Sequence, residues 1–400
     1  MKDLIHTAVA QALTIKHLPA VRPIECPLSK CAGRILRQPI HADRPFPPFN
    51  RSMMDGYALR VAEIKQHNSF KITAQAMAGA QPIAIGNTSG QCVEIMTGAV
   101  VPDDADCVVP YEETEELEDG HIRLLYPDKH ASGNCIHKLG SDHPAGEVLL
   151  SPGRLIGSRE VAIAASCGYT NLQVSKIPSI CIVSTGDELV EIANKPAAHQ
   201  IRRSNDIAVE TALARLQLHA KTLVHLPDER TTSQQQLTQI IKDNEFVIIT
   251  GGVSMGKKDY IPDVLNELGL DCHFHGVRQK PGKPFGYWSR PDCSVFALPG
   301  NPLSVLISLH RYVIPALQRA LGQNESSHSN VKLSQSTKCR NDITVFLPIE
   351  LDANGNATPL PAQNSGDLVS ILASSGFIEL QPNAQREYPQ GSRHRYISWL

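Results

Sequence analysis

The chain has 400 residues, more than one hydrophobic core usually organises, so roughly two to four domains are expected. Hydrophobic residues at 42% and charged residues at 20% describe a soluble globular protein. Lys+Arg 38 against Asp+Glu 40 leaves a formal net charge of −2, which excludes a general electrostatic pull toward nucleic acid and makes any anion site a local concentration of positive charge.

The first residues show no signal-peptide run, because His6, Thr7 and Gln11 interrupt the apolar positions, and no stretch approaches the length of a membrane span. The ten cysteines are scattered without a CxxC pair or metal-ligand spacing. They read as reduced thiols of a cytoplasmic protein, and the close pair Cys26 and Cys31 is given no role.

Leu4, Ala8 and Leu13 recur on one face and predict an N-terminal helix. The segment Arg44-Pro45-Phe46-Pro47-Pro48-Phe49-Asn50 cannot continue a helix or a central strand, so it marks a boundary or rigid connector. From there to about residue 144 short strands alternate with Gly- and Pro-containing turns; the acidic run Glu112 to Glu118 reads as a solvated loop. Ser158 to Cys167 predicts a second helix. The residues flanking the β-rich insert are alike in kind, which gives a discontinuous linking domain, 1–43 with 145–177, around an inserted domain, 44–144.

Residues 178–324 alternate strand and helix and predict a doubly wound parallel sheet. Its strands are Ser179–Ser184, Leu223–Leu226, Phe246–Thr250, Cys272–Val277 and Ser294–Leu298. Helices are expected from Ser204 or Asn205 to Leu216, from Thr231 to Lys242, from Tyr260 to Leu268, and from Leu303 to Leu321 with Pro302 at its start. Beyond the polar Ser-Ser-His-Ser-Asn linker, residues 325–400 show strands only, at Val345–Leu351, Gly376–Leu380 and Arg395–Trp399, predicting a small β domain.

Four polar loops follow strands of the α/β region: Thr185-Gly186-Asp187-Glu188, Gly251-Gly252 onward, Gln279 to Pro284, and Pro299-Gly300-Asn301-Pro302. In a parallel sheet such loops share the carboxyl edge where ligands bind, and glycines there leave backbone N–H groups free to face an anion. In Lys280-Pro281-Gly282-Lys283-Pro284 two lysines three apart, flanked by prolines, form a pre-set cationic turn suited to phosphate or an oxyanion. Asp187, Glu188 and Asp259 set carboxylates beside it, as expected for Mg²⁺ shared with a bound phosphate; Asp187 and Asp259 can equally be helix caps. Gly251 to Lys257 matches the GxxxxGK spacing of a Walker loop, but Lys258 stands where a metal-binding hydroxyl is required, so that reading is rejected.

Six motifs in order carry a resemblance over nearly the whole chain. They are Pro48-Phe49-Asn50-Arg51-Ser52 into Met54-Asp55-Gly56-Tyr57-Ala58; Ile95-Met96-Thr97-Gly98-Ala99; Ser184-Thr185-Gly186-Asp187-Glu188-Leu189; Thr250-Gly251-Gly252-Val253-Ser254; Lys280-Pro281-Gly282-Lys283-Pro284; and Leu298-Pro299-Gly300-Asn301-Pro302. The chain resembles the MoeA family, molybdopterin molybdenumtransferases that include the corresponding domain of gephyrin. The resemblance implies a multidomain α/β plus β fold. It has a discontinuous linking domain, an inserted β-rich domain, a central α/β domain like MoaB and MogA, and a C-terminal domain resembling a β-barrel. It implies an enzyme that takes adenylyl-molybdopterin and molybdate, inserts molybdenum into the dithiolene and releases AMP with help from Mg²⁺. It implies a homodimer whose site joins the α/β domain of one subunit to the inserted domain of the other, and contact with the adenylylating enzyme.

The resemblance assigns catalytic work to Asp55, Asp142, Glu188, Asp259, Lys280 and Lys283, with Glu188 and Asp259 as Mg²⁺ ligands; the division of roles among the carboxylates stays open. Substrate-binding positions are Thr97, Thr185, Gly186, Asp187, Arg203, Ser204, Asn205, Gly251, Gly252, Ser254, Pro299, Gly300, Asn301 and Pro302. One departure stands out: many members have Tyr-Asp-Thr/Ser-Asn where this chain has Arg202-Arg203-Ser204-Asn205. The guanidinium of Arg203 is expected to bind an anion directly, and the competing reading is an exposed residue at a helix entrance. Arg203 also leaves room for a non-catalytic molybdopterin-binding paralogue or dimeric scaffold. Molybdate and tungstate are not distinguishable by sequence.

Overall fold

The computed structural model describes residues 4–254, 259–325, 329–339, 342–360 and 364–399. Gly256, Lys257 and Lys258 of the Walker-like match, and Ser326, Ser327 and His328 of the polar linker, lie outside the described residues. The chain divides into two compact units: Met1–Arg37 with Pro152–Gly157 and Asn171–Leu400, and Gln38–Ser151 with Ser158–Thr170. The larger unit opens with α1 (Thr7–Lys16) and β1 (Pro23–Pro27).

The smaller unit is built on a six-stranded mixed sheet. Its strands are β2 (Gly56–Leu59), β3 (Ser69–Ala76), β4 (Gln91–Ile95), β5 (Cys107–Pro110), β6 (Thr114–Glu116) and β7 (His121–Leu124), in the order β5-β2-β4-β3-β7-β6. Tyr57, Phe70, Cys92, Val109 and Ile122 pack one side, while Ala58, Val93, Ile95 and Val108 pack the other. This is the alternation that two-faced burial of a strand demands. The acidic run is a loop only in part. Glu115 and Glu116 lie on edge strand β6, with Arg123 on Glu115 and the Tyr57 hydroxyl donating to Glu116 at 2.9 Å. Charges on an edge strand also discourage pairing with other chains. The unit closes with α2 (Ser158–Ser166).

The larger unit resumes at β8 (Asn171–Ser175), which pairs antiparallel with β1. The α/β layer follows. It comprises β9 (Ile180–Thr185), α3 (Asn205–Ala214), β10 (Thr222–Leu226), α4 (Arg230–Asp243), β11 (Phe246–Thr250), α5 (Ile261–Glu267), β12 (Asp271–His275), β13 (Gly286–Arg290), β14 (Cys293–Leu298), α6 (Pro302–Ser308) and α7 (Ile314–Ala320). Strand order is β10-β9-β11-β14-β13-β12. The doubly wound sheet is therefore mixed rather than wholly parallel. β13 runs antiparallel to both neighbours, which restores β12 to the direction of the other four strands. The loop leaving β12 consequently opens on the same edge as the loops leaving β9, β11 and β14.

Odd and even strand residues separate cleanly. Ile180, Ile182, Phe246, Ile248, Phe296 and Leu298 face the core shared with α3, α7 and Ala10 of α1; Cys181, Val183, Val247, Ile249, Val295 and Ala297 face α4 and α5. Near-continuous apolar strands are what a sheet covered on both faces requires. α4 is capped by Glu229 rather than by its threonines. The Glu229 carboxylate accepts from the N–H groups of Thr231 and Thr232, and bonds from Thr232 first hold it down at about 2. The long helix expected from Leu303 to Leu321 is interrupted by a π-helical turn at Leu309–Val313, just ahead of Pro315, which has no N–H to continue an α-helical ladder.

The chain ends in β15 (Asn330–Leu333), β16 (Thr344–Leu351), β17 (Asn356–Pro359), β18 (Gly376–Leu380) and β19 (Arg393–Ser398). They pair in the cycle β16-β17-β15-β19-β18-β16, a closed barrel. A barrel leaves no free edges among its members. Among the described residues no helix is long and apolar enough to cross a membrane. Seven of the ten cysteines are buried.

Candidate functional site

Strands β9, β11 and β14 end in Thr185, Thr250 and Leu298, and the residues that follow line a single cavity of about 1380 Å³. Thr185, Gly186, Glu188, Arg203, Ser204, Asn205, Gly251, Gly252, Ser254, Asp259, Lys280, Lys283, Pro299, Gly300, Asn301 and Pro302 all line it. The loops are stitched together. Asn205 Nδ2 donates to the Gly300 carbonyl at 2.7 Å, and Gly251 N donates to the Leu298 carbonyl at 3.1 Å.

Glycine is required at two of these positions. Gly251 has φ +89° and a Cβ there would stand 2.8 Å from the Thr185 carbonyl; at Gly252, with φ +64°, it would stand 2.7 Å from Thr185 Oγ1. The hydroxyl they press against is buried and has no hydrogen-bond partner among the described residues, a polar atom at the cavity wall that a ligand can satisfy.

The cationic turn leaves β12 as expected. Lys280 and Lys283 are exposed, and neither is paired with a carboxylate among the described residues. Gln279 and Lys280 pair in parallel with Thr344 and Val345 of barrel strand β16, so the turn is bonded on one side to the barrel. The barrel also contributes Lys338, Cys339 and the Asn364–Gly366 loop to the lining. Burial pushes the Cys339 thiol up, and Lys280 opposes that shift.

Asp187 is not among the lining residues. Its Oδ1 accepts from the N–H of Asp228 at 3.0 Å, and Asp228 is the carboxylate that lines the cavity. Sequence reasoning missed Asp228, although it lies two residues beyond β10, at the same carboxyl edge. Ser254 donates to Asp259. Arg203 is neither a free cation nor an exposed residue. Its side chain is 11% exposed, its Nε donates to Asp206 at 2.9 Å with Nη2 on the same carboxylate, and Nη1 donates to Glu191 at 2.5 Å. Asp206 is 1% exposed and Glu191 is 65% exposed.

No group of three or more His, Cys, Asp or Glu that could hold a metal is formed among the described residues. Glu188, Asp228 and Asp259 nevertheless line one cavity with the orphaned Thr185 hydroxyl. Carboxylate and hydroxyl oxygens are the donor type that Mg²⁺ takes, with waters and substrate phosphates completing its shell.

Asp55, Thr97 and Asp142 lie in the smaller unit, where their segments are joined to one another. Gly98 N donates to the Ser52 carbonyl, Met53 N to Cys135, and Arg51 pairs with His137. The Asp55 carboxylate accepts from Thr97 N at 2.6 Å and Thr97 Oγ1 at 2.7 Å, and these bonds, the backbone one first, hold it below the ordinary aspartate value. Asp142 is lowered chiefly by its 2.8 Å contact with His137, whose other nitrogen meets the Arg51 guanidinium at 3.0 Å.

Residues 5–168 match the family model "MoeA N-terminal region (domain I and II)", and residues 181–319 match "Probable molybdopterin binding domain". A molybdopterin molybdenumtransferase of Synechocystis is 35% identical over 403 residues, covering 99% of this chain and 100% of that protein. One of Bacillus subtilis is 31% identical over 90% of this chain and 85% of its own length. The structure of the MoeA protein of Pyrococcus horikoshii superimposes with a TM-score of 0.81 at 25% identity, with both chains fully covered.

Proposed function

The chain belongs to the MoeA family of molybdopterin molybdenumtransferases, and we propose on that premise that it inserts molybdenum into molybdopterin, using adenylyl-molybdopterin and molybdate and releasing AMP. The observation that carries the reading is the convergence of four strand-end loops on one cavity, one of them a two-lysine turn with no carboxylate partner among the described residues.

Both reactants are anions. Lys280 and Lys283 gather them despite the slightly negative net charge, and the backbone N–H of Gly252 donates to phosphate oxygens. Cleavage of a phosphoanhydride asks little covalent chemistry of a protein; positioning and charge neutralisation dominate. Glu188 and Asp259 would hold Mg²⁺, which would supply further neutralisation of the substrate phosphates. Asn205 and the 299–302 loop fix the width of the cavity. Arg203 takes part as a cation already offset by Asp206, and its exposed partner Glu191 is the one an incoming anion displaces.

On this reading the chain has four parts, 1–43 with 145–177, 44–144, 178–324 and 325–400. The enzyme works in the cytoplasm as a homodimer, in which Asp55, Thr97 and Asp142 of one chain serve the cavity of the other. Transient contact with the adenylylating enzyme belongs to the same reading.

The test is incubation of purified protein with adenylyl-molybdopterin, molybdate and Mg²⁺, with AMP and metallated pterin measured together. Molybdate-dependent appearance of both is expected. Tight pterin binding with neither product would move the protein to the class of carriers.

A further inference from the structure

The lysine-bearing turn is gripped from beneath by a buried polar chain that begins in the π-helical turn. Gln279 is 1% exposed. Its Nε2 donates to the Pro281 and Gly282 carbonyls, each at 3.2 Å, and its Oε1 accepts from the Tyr312 hydroxyl at 2.5 Å. A carboxamide has two N–H donors and one carbonyl acceptor. The Pro281 and Gly282 carbonyls can only accept, so they hold the amide nitrogen toward the turn and leave the amide oxygen to take the tyrosine hydroxyl. Tyr312 is fully buried, stacked on Phe285 with ring centroids 4.8 Å apart. Gly282, at φ +87°, closes the clamp: a Cβ there would stand 2.8 Å from Gln279 Nε2 and 3.0 Å from Ser308 Oγ. Val277 N to the Lys283 carbonyl, at 2.9 Å, ties the far end of the turn.

We propose that Tyr312 and Gln279 are positioning residues that set the backbone from which Lys280 and Lys283 reach the bound oxyanions. The inference rests on reading those two lysines as the anion site. Lysine is a flexible point charge, so its usefulness depends on where its backbone is held. The clamp supplies that constraint without touching substrate, and it links the turn to the helix formed by α6 and α7.

Tyr312→Phe removes one hydroxyl and keeps the ring. The loss of a neutral hydrogen bond corresponds to about a three- to tenfold effect. The expected result is a rise of that size in KM for molybdate and adenylyl-molybdopterin, with kcat changed less. In a Lys280→Ala/Lys283→Ala background, using its residual activity or substrate affinity, Tyr312→Phe should add nothing, because the groups it positions are gone. The same fold-loss in both backgrounds would mean general damage to packing and would overturn the inference. Gln279→Met, which keeps the side-chain length, gives the same test if Tyr312→Phe does not fold. If the double lysine variant itself behaves as wild type, the anion-site reading fails, and this inference fails with it. That result is separate from equal losses in the two backgrounds.

Discussion

Replacing Arg203 with alanine tests whether its guanidinium is one half of a buried ion pair. The guanidinium is 11% exposed and shares two contacts with Asp206, which is 1% exposed, whereas Glu191 is 65% exposed. Removing one partner of a buried pair leaves an uncompensated charge and costs roughly 3–5 kcal/mol. Asp206 Oδ1 also accepts from Ile207 N at 3.0 Å, so part of its charge stays solvated by the backbone and the lower end, about 3 kcal/mol, is expected. The contact with exposed Glu191 contributes at most about 1 kcal/mol. Urea denaturation followed by tryptophan fluorescence reads the right unit, since Trp288 and Trp399 both lie in it. Arg203→Ala combined with Asp206→Ala should be less destabilised than the sum of the single changes, by about 1–3 kcal/mol. A loss below about 0.5 kcal/mol for Arg203→Ala would refute the buried-pair account and return the residue to the surface class.

Four further outcomes follow from the same geometry. Glu191→Gln should leave stability within about 1 kcal/mol and tighten molybdate binding in equilibrium dialysis, because the competing carboxylate is gone; weaker binding would contradict the exchange. Lys280→Ala and Lys283→Ala should lose turnover with stability changed by less than about 0.5 kcal/mol, as expected for exposed side chains. Gly251→Ala should lose both stability and substrate binding, because it adds an atom 2.8 Å from the Thr185 carbonyl at a φ of +89°. The Asp55–Thr97 contact lowers a folded-state carboxyl, so it is present at neutral pH and lost only as pH falls below the ordinary aspartate value; NMR titration of Asp55 in wild type and Thr97→Val should show the midpoint move up in the variant.

Much of the α/β layer was legible because buried strands are written as β-branched apolar runs: Phe246–Thr250 came out with the expected bounds. Strand β13 was not. Gly286-Tyr287-Trp288-Ser289-Arg290 lacks such a run, and its antiparallel course depends on pairing with β12 and β14 rather than on local preference. The strand-end loops were recognisable from their glycines and prolines, yet Asp228 was overlooked because Pro227-Asp228 carries no glycine to flag it. The partners of Arg203 show both cases. Asp206 sits three residues away, within reach of a helix-entry pair, while Glu191 is brought in by the parallel pairing of Leu189–Val190 with Ile201–Arg202, which local sequence does not announce. Gln279 and Tyr312 are 33 residues apart, and no local periodicity joins them.

The central claim is that the cavity couples two anions to metal transfer, and the direct measurement is AMP release against molybdenum uptake in one reaction. Wild-type protein given adenylyl-molybdopterin and Mg²⁺ should release AMP in step with metal incorporated, both rising with molybdate, and the double lysine variant should do neither while still folded. AMP release that is independent of molybdate, or metal uptake unaffected by loss of both lysines, would contradict the account.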